Sequence, residues 1–150
     1  MSNRKVAGLL TDIGTEELAH LEIVASIVRQ LTKGLSAKQL EDAGFAPYYI
    51  DHTAAIWPQA AGGIPFNACE FQSKGDPITD LTEDLAAEQK ARTTYDNILR
   101  LVKDPEVCDP IRFLREREIV HFQRFGEGLR MIQEDLDSKN FYAFNPDFDM

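Results

Sequence analysis

Cysteine is nearly absent from this chain: only Cys69 and Cys108 occur, and neither has a partner at metal-ligand spacing. That excludes a disulfide framework and a thiolate zinc site, and both thiols are expected to be inert. Positive charge is also scarce. Sixteen Lys and Arg stand against 25 Asp and Glu, giving a formal net charge of −9. Nucleic acids and anionic membrane surfaces are bound through excess Lys and Arg, so neither is an expected partner. No apolar run reaches the roughly 18 residues that a membrane-spanning helix needs. The opening MSNRKVAGLL has no long apolar region and no small-residue cleavage site, so no secretory leader is expected and the cytoplasm is the expected location. There is no glycine-rich phosphate loop, since Gly62-Gly63 reads only as a turn. No nucleophile sits in a strand–turn–helix context, so a hydrolase has nothing to rest on. Strand-like alternation and low-complexity segments are missing as well.

What is present is helical patterning. Hydrophobic residues make up 43% and charged residues 27% of the 150 residues, proportions suited to one globular domain over 1–150. Such a domain buries about 68–70% of the surface its unfolded chain exposes. Val6, Leu9, Leu10, Ile13, Val24, Ile27, Val28 and Leu31 recur at steps of three and four, which predicts a helix over about 3–33 stopped by Gly34. Ser36 caps a short helix, SAKQLEDAG, ended by Gly44. The stripe Leu81, Leu85, Tyr95, Leu99, Val102 predicts a second long helix over about 80–103, broken at Asp104-Pro105. Asp109-Pro110 reads as an N-cap with proline at the first helical position, opening a third long helix to about 138. Between the first two long helices, residues 45–79 lose the helical period. They hold Pro47, Pro58 and Pro65 and six aromatics, too apolar for a disordered linker, and read as an ordered crossover. The aromatic and acidic tail KNFYAFNPDFDM reads as docked in part or loose. The expected class is all-α, with three long helices and one long crossover, resembling a four-helix bundle of the ferritin-like type that lacks a helix.

Each long stripe is interrupted by polar residues only near its middle. The first reads Leu9, Ile13, Glu17, His20, Val24, Ile27, Leu31. The second reads Leu81, Leu85, Glu88, Arg92, Tyr95, Leu99, Val102, and the third Ile111, Leu114, Glu118, His121, Phe125, Gly128, Ile132. The first and third share Glu-x-x-His at the same place, a weak internal repeat. Residues at i and i+3 lie on one helix face, so a carboxylate oxygen and an imidazole nitrogen can reach one ion. Each unpaired buried charge costs several kcal/mol, and a whole domain is stable by only about 5–15 kcal/mol. Something must therefore compensate for three glutamates and two histidines on the seams. Arg92 can neutralise one carboxylate at most. A pair of divalent cations neutralises all three and uses neutral imidazoles too, which is the arrangement of dinuclear carboxylate bundles. Carboxylate-rich sites with one His per ion suit Mn or Fe, whereas zinc sites more often carry Cys or several His. The pattern taken by itself makes Glu118 a ligand.

Three blocks, KVAGLLTDIGTEELAHLE, KGDPITDLTEDLAAEQKAR and RFLREREIVHF, in this order and spacing, closely resemble the non-haem manganese catalases and their spore-coat relatives over nearly all of residues 4–136. The resemblance implies a ferritin-like bundle with two Mn ions that disproportionates hydrogen peroxide to water and dioxygen. It implies that Glu17 bridges both ions, that His20 binds one, and that Glu88 and His121 bind the other. It makes Glu118 a proton relay beside the ions rather than a ligand. Family members begin with a further helix that carries a terminal carboxylate ligand, whereas Met1-Ser2-Asn3 enters the pattern in the turn before the helix of Glu17. The N-terminal helix and the carboxylate that completes the His20 ion are therefore expected to be missing, with activity low or absent. The open bundle wall would expose apolar stripes, so a homo-oligomer is expected. Ala87 stands where some members place an arginine that gates the site, so no such gate is expected.

Other residues carry weaker expectations. His52 in YYIDHTAAIW either donates to a carboxylate or sits at an interface, and Tyr48, Tyr49 and Trp57 read as packing or interface residues. Arg92 pairs either with a site carboxylate or in a surface salt bridge. Glu16, Glu22 and Glu116 lie off the stripes and are expected to be solvated. The rivals to a catalase are a coat-type structural member of the same family, which would place it in the spore coat, a di-iron oxidase or iron-storage bundle, and a metal-free fragment.

Overall fold

The computed structural model describes residues 3–46, 67, 69 and 72–140, with side chains through 137. Most of the crossover, including His52, Tyr48, Tyr49 and Trp57, and the tail from 141 onward lie outside the described residues. Among the described residues four helices follow in chain order: α1 (Arg4–Thr32), α2 (Ala37–Asp42), α3 (Pro77–Leu101) and α4 (Pro105–Asn140). Among the described residues there is no strand, and the class is all-α as the periodicities predict. The chain divides into two compact units, residues 1–16 with 73–150, and residues 17–72.

In the first unit α3 and α4 pack along one another, and the opening of α1 joins them. Asn3 starts α1: its Oδ1 accepts from the N–H groups of Lys5 and Val6 at 3.0 and 3.1 Å, two of the donors a helix start leaves unsatisfied. Val6, Ile13, Leu81, Phe125 and Ile132 form the buried core, with Leu9, Leu85 and Leu129 packed around it. Polar ties run beside this core. Asn3 Nδ2 donates to Asp135 Oδ2 at 2.7 Å, Arg124 pairs with Asp12, and Arg117 pairs with Glu16. Residue numbers rise along this first part of α1 as they fall along α4, so within the unit the two run antiparallel.

Both later helices begin before the sequence pattern places them. Asp76 caps α3: its Oδ1 accepts from Ile78 N–H at 2.9 Å and Thr79 N–H at 3.1 Å, with Pro77 in the first turn. Asp80 instead reaches back, accepting from Lys74 N–H at 2.8 Å, Gly75 N–H at 3.0 Å and Ser73 Oγ at 2.8 Å. Those bonds, the one from Lys74 first, hold its carboxyl below the usual range. Gly75 has φ +75°, a conformation that L side chains rarely adopt.

In α4 the cap is Asp104, whose Oδ1 accepts from Glu106 N–H at 2.9 Å. The Asp109-Pro110 pair thus falls inside the helix rather than at its start. Proline there removes one intrahelical hydrogen bond. The extra turn buries Val107 and Cys108, and this apolar burial offsets that loss. The Cys108 thiol is free and buried, and its Sγ donates to Val102 O at 3.4 Å.

Gly128 is buried where α4 meets α1 and α3, yet a Cβ there would sit 3.7 Å from Leu81 Cδ2 and 3.8 Å from Leu9, ordinary contact distances. Glycine inside a helix costs about 0.8–1.0 kcal/mol relative to alanine. Gly128→Ala is therefore expected to raise the melting temperature by about 2–4 °C, read by circular dichroism. A fall would show that the interface requires the bare backbone.

The second unit holds the rest of α1 and α2. Gly34, at φ +81°, stops α1 where expected. Ser36 and Gln39 form a reciprocal capping box on α2. Gly44 lies at φ +77°, and Phe45 N–H donates to Leu40 O at 2.8 Å to close the end.

Candidate metal centre

The first unit brings three of the singled-out residues together. Glu88 on α3 and Glu118 and His121 on α4 are 6%, 3% and 0% exposed, values that rule out solvation as their role. One ligand atom from each lies within 4.8 Å of the other two. His121 Nδ1 is 3.7 Å from Glu88 Oε2, longer than a hydrogen bond. Two buried carboxylates held this close repel one another unless a cation or a proton lies between them. Two hard oxygen donors and one imidazole form a donor set that fits Mn or Fe better than zinc.

Glu16 corrects an expectation. It lies off the apolar stripe, yet it is only partly exposed and forms part of this cluster. Arg117 grips it with two bonds, Nε to Oε1 at 2.6 Å and Nη2 to Oε2 at 3.1 Å. Its Oε2 also lies 3.0 Å from His121 Nε2. The Arg117 bonds first, and His121 second, lower its pKa to about 2. A signal for this contact exists in the sequence. The residue before each Glu-x-x-His glutamate is Glu16 in one copy and Arg117 in the other, opposite charges at equivalent places. Glu22 and Glu116 are exposed, as expected.

In the second unit, α1 places His20 at 4% exposure with its Nδ1 3.3 Å from Glu17 Oε2, while Glu17 itself is 42% exposed. The i, i+3 spacing thus brings carboxylate and imidazole together as read. Arg92 donates to Gln89 Oε1 at 2.9 Å and to Asp96 Oδ2 at 2.8 Å. Arg115 also binds Asp96 and is the main cause of the depressed pKa of that carboxyl. The salt-bridge reading of Arg92 therefore holds. Ala87 is exposed.

Comparison with known proteins gives a family. The family described as manganese containing catalase matches residues 1–143. Protein CotJC of Bacillus subtilis (strain 168) is 51% identical over 138 residues, covering 92% of this chain and 73% of that protein. A probable manganese catalase of Clostridium acetobutylicum is 30% identical over 141 residues, covering 94% of this chain and 63% of that protein. A manganese catalase of Lactiplantibacillus plantarum is 27% identical over 154 residues, covering 90% of this chain and 53% of that protein. The chain thus spans between about half and three quarters of the length of these relatives. The match and the helices together give the ferritin-like all-α class anticipated from the sequence.

Proposed function

The chain belongs to the manganese-containing catalase family, and we propose that it holds two Mn ions and disproportionates hydrogen peroxide to water and dioxygen. The observation that carries this reading is the convergence of Glu88, Glu118 and His121 in a buried cluster. Glu88 and His121 would hold one ion and His20 the other, with Glu17 as the shared carboxylate. When bound, such a pair supplies two-electron redox chemistry and Lewis acidity. The protein's own residues do the rest. Glu118, shut away from bulk water, takes a proton at a carboxylate oxygen and returns it, since peroxide turnover must move protons as well as electrons. The Glu16–Arg117 pair leaves no unpaired charge on the arginine beside that cluster.

The reading includes one ferritin-like domain and a homo-oligomer. Leu18, Leu21 and Leu31 on α1 are 69%, 49% and 53% exposed, an apolar surface suited to association. It also includes a cytoplasmic location, and no helix among the described residues is long and apolar enough to cross a membrane. The 51% identity to CotJC is the observation that favours a second reading, a structural coat-type member of the family located in the spore coat.

Metal analysis after expression in balanced Mn and Fe, with oxygen release from peroxide on the same sample, tests the proposal. Close to two Mn per chain and low but measurable oxygen release are expected. Iron in their place would favour the di-iron oxidase, and Mn without turnover the coat-type member.

A further inference from the structure

We propose that Glu16, clamped by Arg117, is a positioning residue that orients the His121 ring and presents its Nδ1 to the carboxylates as the ligand atom. This rests on the metal-centre reading above and adds to it a residue off the apolar stripe.

The geometry runs from the arginine inward. Arg117 meets Glu16 through two donors, at 2.6 and 3.1 Å, and a planar guanidinium fork fixes the plane of the carboxylate it grips. The Oε2 so held lies 3.0 Å from His121 Nε2. An ionised carboxylate only accepts, so Nε2 is the nitrogen that carries the proton in this bond. With Nε2 committed to that bond, Nδ1 is the nitrogen left to bind an ion. That atom is the one facing Glu88, at 3.7 Å from Oε2. His121 is fully buried, so the ring cannot turn out into solvent to change this assignment. A ligand histidine whose second nitrogen donates to a fixed carboxylate is held in one tautomer and one orientation and is made more basic. Arg117 and Glu118 are adjacent in α4, so the clamp and the proton-handling carboxylate move with the same turn of helix.

The test uses the full chain with its histidines labelled with nitrogen-15. There are three histidines, so single His→Asn variants at His20 and His52 assign the signals. In the metal-stripped chain, His121 is expected to show a protonated Nε2 that exchanges slowly. Glu16→Ala is expected to speed that exchange and to weaken Mn(II) binding by about 10–100-fold in a chelator competition. Arg117→Lys keeps the charge but loses the fork, and is expected to fall between wild type and Glu16→Ala in both readouts. If Glu16→Ala does not fold, Arg117→Lys carries the same two measurements. An Nε2 without a proton in the wild type overturns the proposal, as does wild-type Mn(II) affinity in Glu16→Ala. A wild-type chain that takes up no Mn(II) overturns the metal-centre reading and this one with it. Wild-type uptake that Glu16→Ala leaves unchanged overturns the positioning role alone.

Discussion

Mn(II) added to the metal-stripped chain, at a free concentration about a thousandfold above Kd, is expected to raise its melting temperature by about 8–16 °C, and Glu88→Leu to abolish that rise. A ligand that binds only the folded state contributes about 4.1 kcal/mol at that excess. Each kcal/mol moves the melting point of a domain this size by about 2–4 °C. The sign of the effect in the stripped chain is the sharper half of the prediction. Glu88 is buried near Glu118 and His121, where a carboxylate without its cation costs free energy rather than contributing it. Replacing it with leucine of similar volume should leave the stripped chain equally stable or more stable, while removing a ligand. If these carboxylates served packing and hydrogen bonding instead, Glu88→Leu would lower the melting temperature and Mn(II) would not move it. Scanning calorimetry of four samples, wild type and variant with and without Mn(II), separates the two cases.

The parts of this centre differ in how far the sequence reveals them, and the reason is sequence separation. Glu88, Glu118 and His121 stand out because each interrupts an apolar stripe of its own helix, a local pattern readable within two turns. Glu16 does not, because its partners Arg117 and His121 lie 101 and 105 residues away. Its own helix assigns it to the polar side, and only the packing of α1 on α4 turns that side toward His121. The helix starts behave in the same way. Asp104-Pro105 and Asp109-Pro110 carry the same capping chemistry five residues apart. Burial of Val107 and Cys108 selects the first, and that burial is tertiary. At α2, by contrast, the Ser36 capping box and Gly44 are local devices and appear where they are read. The α3 stripe shows an intermediate case, for Leu81 and Glu88 are buried while Leu85, Tyr95 and Leu99 are only partly so.

Glu118→Gln is the substitution that decides between the two roles the sequence leaves open for this residue. The internal repeat makes Glu118 a ligand equivalent to Glu17, and the family resemblance makes it a proton relay. Glutamine preserves shape and can accept a hydrogen bond, but it cannot take up a proton at neutral pH. Glu118 is 3% exposed, so bulk water is poorly placed to replace it as a proton carrier. A positioned acid–base group contributes about 10²–10⁴-fold to a rate. As a relay, Glu118→Gln should keep the Mn content of the wild type, lower oxygen release by about that factor, and flatten the pH profile of turnover. As a ligand, it should lose metal along with activity, because a neutral amide is a poorer donor than a carboxylate for a hard cation. Metal content and initial rate measured on one preparation distinguish these outcomes. Full Mn content with an undiminished rate would remove Glu118 from both roles.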